Sequence, residues 1–146
     1  MSDEVITRQL VVFSLGEEEY ALPIADVHEI IRYTEPRSVA SSVNWVRGVI
    51  SLRGKIVPVY DLASRLGCAR CEDVSEQKIV IVEAAAQLAG VVVDDVEEVI
   101  TVDADQLERL PAADEAAIDS IVKLDDRLIV LLSPAGLFGL SAEIAA

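Results

Sequence analysis

The two halves of this chain carry the same order of strand-forming segments, and that repetition restricts the folds it can adopt. Residues 9–67 align with residues 78–139, at an offset of 69 in the first part and 72 in the second. Five positions are identical in the first part: Val11/Val80, Asp26/Asp95, Val27/Val96, Glu29/Glu98 and Ile31/Ile100. Two hairpin-rich segments can match by apolar pattern alone, but identities in constant register favour a duplication within one domain, residues 1–146.

Each repeat is rich in signals for paired strands. In the first repeat, QLVVFSL and YALPI flank an acidic turn, and VRGVISL and KIVPVYD flank Arg53-Gly54. Such pairs of runs around a tight turn predict β-hairpins. About four strands per repeat are too few for a flat sheet but enough to close a small barrel, with strand exchange between repeats as one route. We expect a mainly β fold of two small barrels that share a hydrophobic core.

The composition and charge exclude several classes of protein. The chain is 52% hydrophobic, which excludes disorder, and its net charge of −14 repels nucleic acid and anionic lipid. Its longest uncharged run, residues 128–142, is interrupted by proline and glycine and is too short for a membrane span. No secretory signal is recognisable at the N-terminus. We therefore expect a cytoplasmic protein that binds no nucleic acid and does not insert into a membrane.

The sequence offers little for catalysis or for a cofactor. His28 is the single histidine, and no serine-hydrolase elbow or glycine-rich phosphate loop is present. Cys68 and Cys71 form a CxxC pair, which is two ligands short of a zinc site and is followed by acidic residues that disfavour thiolate formation. We predict no enzymatic activity, no cofactor and no metal. A thiol-redox regulator using Cys68 and Cys71 remains the alternative from another class.

Four segments together resemble the CheW family, the adaptor proteins of bacterial chemosensory arrays. They are LVVFSLGEEEYALPIADVHEII, NWVRGVISLRGKIVPVYDLASRLG, KIVIVEAAAQLAGVVVDDVEEVI and RLIVLLSPAGLF. The resemblance covers about nine-tenths of the chain, and Leu52-Arg53-Gly54 with Pro58-Val59 and Asp61-Leu62 is its most specific part. It implies a non-catalytic scaffold of two five-stranded SH3-like barrels and a few short helices.

The resemblance also implies partners in chemotaxis signal transduction. These are the regulatory domain of a CheA-type histidine kinase and the cytoplasmic tip of chemoreceptors (methyl-accepting chemotaxis proteins), which binds in a groove between the barrels. Recruitment to membrane-associated receptor arrays and ring assembly with kinase domains are further implications. Motif positions assign kinase binding to Val27, Glu29, Arg47, Gly48 and Arg53, and receptor binding to Ile79, Gly90 and Val99. A CheW-like adaptor of a non-chemotactic array, controlling pili or a second messenger, would use the same sites.

Two observations bear on these surfaces independently of the resemblance. The second repeat has Asp125-Asp126 at the turn that corresponds to Arg53, so the fold itself does not require arginine there. Arg53 therefore either pairs internally with Glu29 or serves an interface.

The charge is unevenly distributed along the chain. Residues 1–71 hold 8 basic and 9 acidic side chains, whereas residues 72–146 hold 4 and 17. This polarity favours head-to-tail contacts between homologous domains, which can close into a mixed ring.

Overall fold

The computed structural model describes residues 7–39, 46–66, 76–84, 86–109, 118–134 and 136. These residues form mainly strands, as the sequence predicted. The elements are β1 (Thr7–Leu15), β2 (Glu18–Pro23), β3 (Val27–Arg32), β4 (Val46–Leu52), β5 (Lys55–Asp61), α1 (Leu62–Leu66), β6 (Lys78–Ala84), β7 (Gln87–Val93), β8 (Asp95–Asp103), β9 (Leu107–Glu108), β10 (Ile118–Leu124) and β11 (Arg127–Leu132). Among the described residues, no helix has the length and apolarity needed to cross a membrane.

The strands form two sheets, and each sheet takes strands from both halves of the chain. The six-stranded sheet has the order β8-β1-β2-β11-β10-β9, and the five-stranded sheet has the order β3-β6-β7-β5-β4. Neighbouring strands are antiparallel except for β2 with β11 and β5 with β7, which are parallel. The first hairpin of each half therefore lies in the sheet built mostly from the other half. The repeat boundaries, 9–67 and 78–139, stay a prediction.

In each sheet the covalent chain joins the two outer strands. After β8 a 3₁₀ turn at Ala104–Gln106 leads into β9, which pairs with β10. After β3 the chain reaches Arg37, which exchanges two backbone hydrogen bonds of 2.8 and 2.9 Å with Val49 of β4. The chain thus links the two edges of each sheet, although no ladder of the described residues joins the outer strands directly. We call each sheet with its linking segment a barrel. The six-stranded barrel exceeds the expected five strands because its closing segment is divided into β8 and β9.

Three hydrophobic clusters fill the molecule because several strands bury both faces. Leu10 and Val12 of β1 point into the six-stranded barrel, and Ile79 and Ile81 of β6 point into the five-stranded barrel. The opposite faces of these strands meet between the barrels, where the shared cluster comprises Phe13, Leu15, Tyr20, Leu22, Tyr60, Leu62, Ala63, Val80, Val82, Ala89, Val91, Val93 and Leu132. Burial on both faces accounts for the unbroken apolar runs in β1, β6 and β7.

Gly48 permits the contact that closes the five-stranded barrel. It lies at a β-bulge in β4 and has φ = +146°, a conformation that side chains disfavour. A Cβ atom at this position would collide with the carbonyl oxygen of Arg37, the residue that bridges to β4. The glycine is therefore explained by backbone approach alone.

Replacing Gly48 by alanine should lower the free energy of unfolding by about 2–4 kcal/mol, through backbone strain and loss of the Arg37 bridge. Gly54→Ala is the matched control, because Gly54 also has positive φ, +84°, but a Cβ atom added there would have nothing within 4 Å. It should cost only about 1 kcal/mol. Denaturant unfolding measures both, and equal losses would contradict a steric role for Gly48.

Candidate protein-interaction surfaces

An ion pair links β3 to the β4–β5 turn at one end of the five-stranded barrel. Arg53 and Gly54 both have positive φ, +51° and +84°, as a tight two-residue hairpin turn of type I′ requires. This turn brings Nη1 of Arg53 within 2.6 Å of Oε1 of Glu29, to which it donates a hydrogen bond. The Arg53 side chain is 69% exposed and that of Glu29 is 21% exposed. The internal pairing is thus present, and the guanidinium still faces solvent.

The pair changes the ionisation of both side chains. The hydrogen bond from Arg53 lowers the pKa of Glu29, against a smaller opposing effect of burial. The same bond raises the pKa of Arg53. Both groups are therefore charged throughout the neutral range, and the carboxylate holds the exposed turn against β3.

Arg47 contacts two other residues of the five-stranded barrel, Tyr33 and Asp61. Its Nη2 donates to the Tyr33 hydroxyl at 2.8 Å, and its guanidinium lies 5.8 Å from the centre of the Tyr33 ring. Its Nη1 lies 3.5 Å from Oδ2 of Asp61, a buried carboxylate that also accepts a hydrogen bond from the backbone N–H of Ser64 at the start of α1. A buried carboxylate needs such a positive partner. Arg47 therefore fastens the segment after β3 to the junction of β5 and α1.

The five predicted kinase-binding residues all lie in the five-stranded barrel, on β3, on β4 and in the turn after β4. Their environments differ. Glu29 and Arg53 reach the surface, whereas Val27 is half-buried against the shared cluster. Arg47 and Gly48 build the closure beneath that surface. The structure therefore gives Arg47 and Gly48 internal roles, and the binding assignment of the whole set stays a prediction.

The three predicted receptor-binding residues do not form one surface. Ile79 is completely buried inside the five-stranded barrel. Gly90 is buried beside it, where a Cβ would lie 2.8 Å from Cγ2 of Ile79. Val99 is on β8 of the other barrel and is 50% exposed. Ile79 and Gly90 therefore lie in the interior and only Val99 of the three is exposed, and the receptor-binding assignment of the set stays a prediction.

Sequence reasoning missed two features of the surface. Ile56 and Leu128 occupy corresponding positions in the two repeats, and they are 68% and 67% exposed. Side chains alternate between the two faces of a strand, so their outward orientation could have been predicted from the sequence. A groove of about 880 Å³ was not foreseeable, because distant segments line it: Thr7, Arg8, Gln9, Pro23, Ile24, Ala25, Asp26, Glu83, Thr101, Asp119, Leu132, Ser133 and Pro134. Cys68 and Cys71 lie outside the described residues, so the redox alternative stays untested.

The Glu29–Arg53 pair should contribute to stability in a pH-dependent manner. Because the folded pKa of Glu29 lies below its ordinary value of 4.5, the contribution is complete above that value. It is lost as the pH falls through the lowered pKa. Wild type should therefore be more stable than Arg53→Gln near neutral pH, and the difference should vanish in acid.

Unfolding measured across this pH range tests that dependence, and NMR titration of the Glu29 carboxyl should show its pKa rising in Arg53→Gln. Lys55→Gln is the control, since it removes a charge from the same hairpin without removing the Glu29 hydrogen bond. A pKa of Glu29 that is the same in wild type and Arg53→Gln would show that the pair does not persist in solution.

This chain, with two sheets that exchange hairpins and pack on a shared core, matches the CheW-like domain model over residues 9–141. The chain belongs to this family. Its fold is similar to the crystal structure of the scaffolding protein TtCheW from Thermoanaerobacter tengcongensis, with a TM-score of 0.85, 37% identity, and coverage of 93% of this chain and 95% of that one. It is also 31% identical over 137 residues to chemotaxis protein CheW of Bacillus subtilis, covering 90% of this chain and 88% of that protein. A match to protein PilI of Pseudomonas aeruginosa has 31% identity over 87 residues, which is 58% of this chain and 47% of PilI.

Proposed function

We propose that this chain is a non-catalytic adaptor that binds the regulatory domain of a CheA-type histidine kinase and the cytoplasmic tip of chemoreceptors, and so couples them. The observation that carries the proposal is the CheW-like fold over nearly the whole chain, shared with a scaffolding protein. The two barrels display separate surfaces on one shared core. An adaptor needs such an arrangement, because both partners must be held at once in a fixed geometry.

The kinase-binding surface in this proposal is the β3 and β4–β5 face of the five-stranded barrel. Val27, Glu29 and Arg53 lie there, supported from within by Arg47 and Gly48. The described residues of this barrel (27–39, 46–66, 76–84 and 86–93) carry 7 basic and 5 acidic side chains. Those of the six-stranded barrel (7–26, 94–109 and 118–134) carry 4 and 14. The polarity inferred from the sequence thus persists after hairpin exchange, and it favours oriented contacts in a ring with kinase domains.

The receptor-binding surface in this proposal combines Val99 with the groove. The groove is lined mainly by the six-stranded barrel, and Glu83 of β6 adds a wall from the other barrel. It therefore lies where the two barrels meet. Pro23 and Ile24 give it apolar surface, which the face of a helical hairpin can cover. Ile79 and Gly90 can influence this surface only through the shape of the five-stranded barrel.

Arg53→Glu should weaken binding to the kinase regulatory domain about tenfold, because it reverses a charge at the proposed contact and repels Glu29. Binding to the receptor signalling hairpin should be unchanged. Calorimetric titration with both purified partners from the same genome measures these affinities. Lys123→Glu is the control: Lys123 is also an exposed cation paired with a glutamate, Glu108 at 2.7 Å, but it lies on the other barrel.

Thermal unfolding separates loss of contact from loss of fold in this experiment, and Arg53→Gln provides a milder variant. Unchanged kinase affinity in folded Arg53→Glu would move the kinase surface elsewhere. If the wild type bound neither partner, the coupling function itself would be wrong for these partners.

Val99→Asp should weaken receptor binding about tenfold and leave kinase binding unchanged, because a desolvated carboxylate replaces an apolar contact. Leu128→Asp is the matched control, as Leu128 is an exposed apolar residue on the same barrel. The same titrations measure both variants. Equal weakening by the two substitutions would argue against a specific contact at Val99.

A second candidate function is an adaptor in a chemosensory array that does not control chemotaxis. The match to PilI, a relative with a different name, favours keeping this candidate. The fold and surfaces would be the same, and only the partners would differ. Titrating the wild type against each CheA-type regulatory domain encoded in the genome discriminates between the two, since the cognate kinase should bind most tightly.

A further inference from the structure

Arg127 joins three strands of the six-stranded barrel. It is the first residue of β11, and its Nε and Nη2 donate to the two carboxylate oxygens of Glu19 in β2 at 3.1 and 2.9 Å. Its Nη1 lies 2.8 Å from Oε2 of Glu98 in β8. In the sheet order, β1 and β2 separate β8 from β11, so the contact with Glu98 joins two strands that are not neighbours in the ladder. The Arg127 side chain is 35% exposed, compared with 69% for Arg53.

The internal repeat contains a similar ion pair in each barrel. Glu98 is the counterpart of Glu29. Glu29 pairs with Arg53 of the β4–β5 hairpin, and Glu98 pairs with Arg127 of the corresponding β10–β11 hairpin. The arginines themselves do not correspond, because Asp125 aligns with Arg53 and Lys55 aligns with Arg127. The two barrels therefore fasten the same glutamate from different positions. The feature that recurs is an ion pair to the strand that carries the glutamate, β3 in one barrel and β8 in the other.

The ladder of the strand that Arg127 contacts is irregular beside that contact. Among the described residues, β8 pairs only with β1, and the register shifts between Val12 and Phe13, directly beside Glu98. A bulge leaves the local position of a strand less well defined by hydrogen bonds. Glu98 is followed immediately by Val99, the exposed apolar residue of this strand. Val99 is therefore the exposed apolar residue of β8 that lies next to the Arg127 contact.

We propose that Arg127 is a positioning residue for partner binding: by bridging Glu19 and Glu98 it fixes β8 in the position that presents Val99 to the receptor tip. This inference rests on the receptor-binding function proposed above. Arg127 itself need not touch the receptor. A bidentate guanidinium suits this task, since its planar fork fixes direction as well as distance.

The central test compares Arg127→Gln, Glu98→Gln and the double variant in titrations with the purified receptor signalling hairpin and, separately, the kinase regulatory domain. Each single variant should weaken receptor binding about tenfold, and the double variant should be no weaker than either, because the two side chains act through one contact. Kinase binding should stay within about twofold of wild type. Arg127→Lys, which keeps the charge but not the fork, should give an intermediate affinity.

Two further measurements distinguish positioning from simple stabilisation. Amide hydrogen exchange in β8 around Val99 should be faster in Arg127→Gln, while exchange in β6 stays as in wild type. Lys123→Gln is the matched control, because it removes an ion pair of 2.7 Å from the same barrel without contacting β8. It should change neither the affinities nor the exchange in β8.

The outcomes are separable from those of the proposed function. Wild type that fails to bind the receptor hairpin contradicts the receptor function on which the inference depends. Wild type that binds while Arg127→Gln binds equally well overturns the positioning role alone. The same role is overturned if Arg127→Gln loses both partners in proportion to its fall in melting temperature, since that is the behaviour of a purely structural ion pair.

Discussion

The β1–β2 and β6–β7 hairpins are buried on both faces, because each pairs within one barrel and packs against the other. The shared cluster accordingly contains side chains from both hairpins, together with Tyr60, Leu62 and Leu132. The β1–β2 hairpin joins the six-stranded barrel, whose other strands come from the second half of the chain. The β6–β7 hairpin joins the five-stranded barrel, whose other strands come from the first half. Neither half could complete a barrel alone, which explains how a repetitive sequence makes one domain. A single interior also means that the two outer surfaces keep one relative geometry.

The polar contacts join segments at the surface of this apolar framework. Arg53 and Arg127 each contact a strand that no ladder of the described residues joins to their own, and Arg47 links Tyr33, after β3, to Asp61 at the end of β5. Exposed ion pairs such as Arg53–Glu29 contribute far less to stability than the buried clusters do. The main structural effect of these ion pairs is therefore to orient the segments that they join. They fix where the end of a strand or a hairpin turn sits, and at a binding surface a small displacement matters more than a small change in stability.

Much of the framework could be predicted because it follows from local chemistry. The 72-residue offset relates β4 to β10 residue for residue, and the Arg53-Gly54 turn was readable from its glycine. The interior position of Ile79 was missed because strands buried on both faces lack the alternation that tells inward from outward positions. Nothing local to Glu19, Glu98 and Arg127 shows that they converge. The contact of Arg127 with Glu19 exists only once the β1–β2 hairpin has joined the strands of the second half, and the same holds for the groove.

The charge distribution has a similar dependence on the fold. The net charge of −14 suggests a molecule that repels acidic partners from every side. Yet charges separated by more than about 8–10 Å are largely screened at physiological ionic strength, so a partner responds to the barrel it approaches. Among the described residues, the five-stranded barrel carries 7 basic and 5 acidic side chains, and the six-stranded barrel carries 4 and 14. Because the shared core holds the two barrels together, one small domain presents two electrostatically distinct surfaces in a fixed orientation.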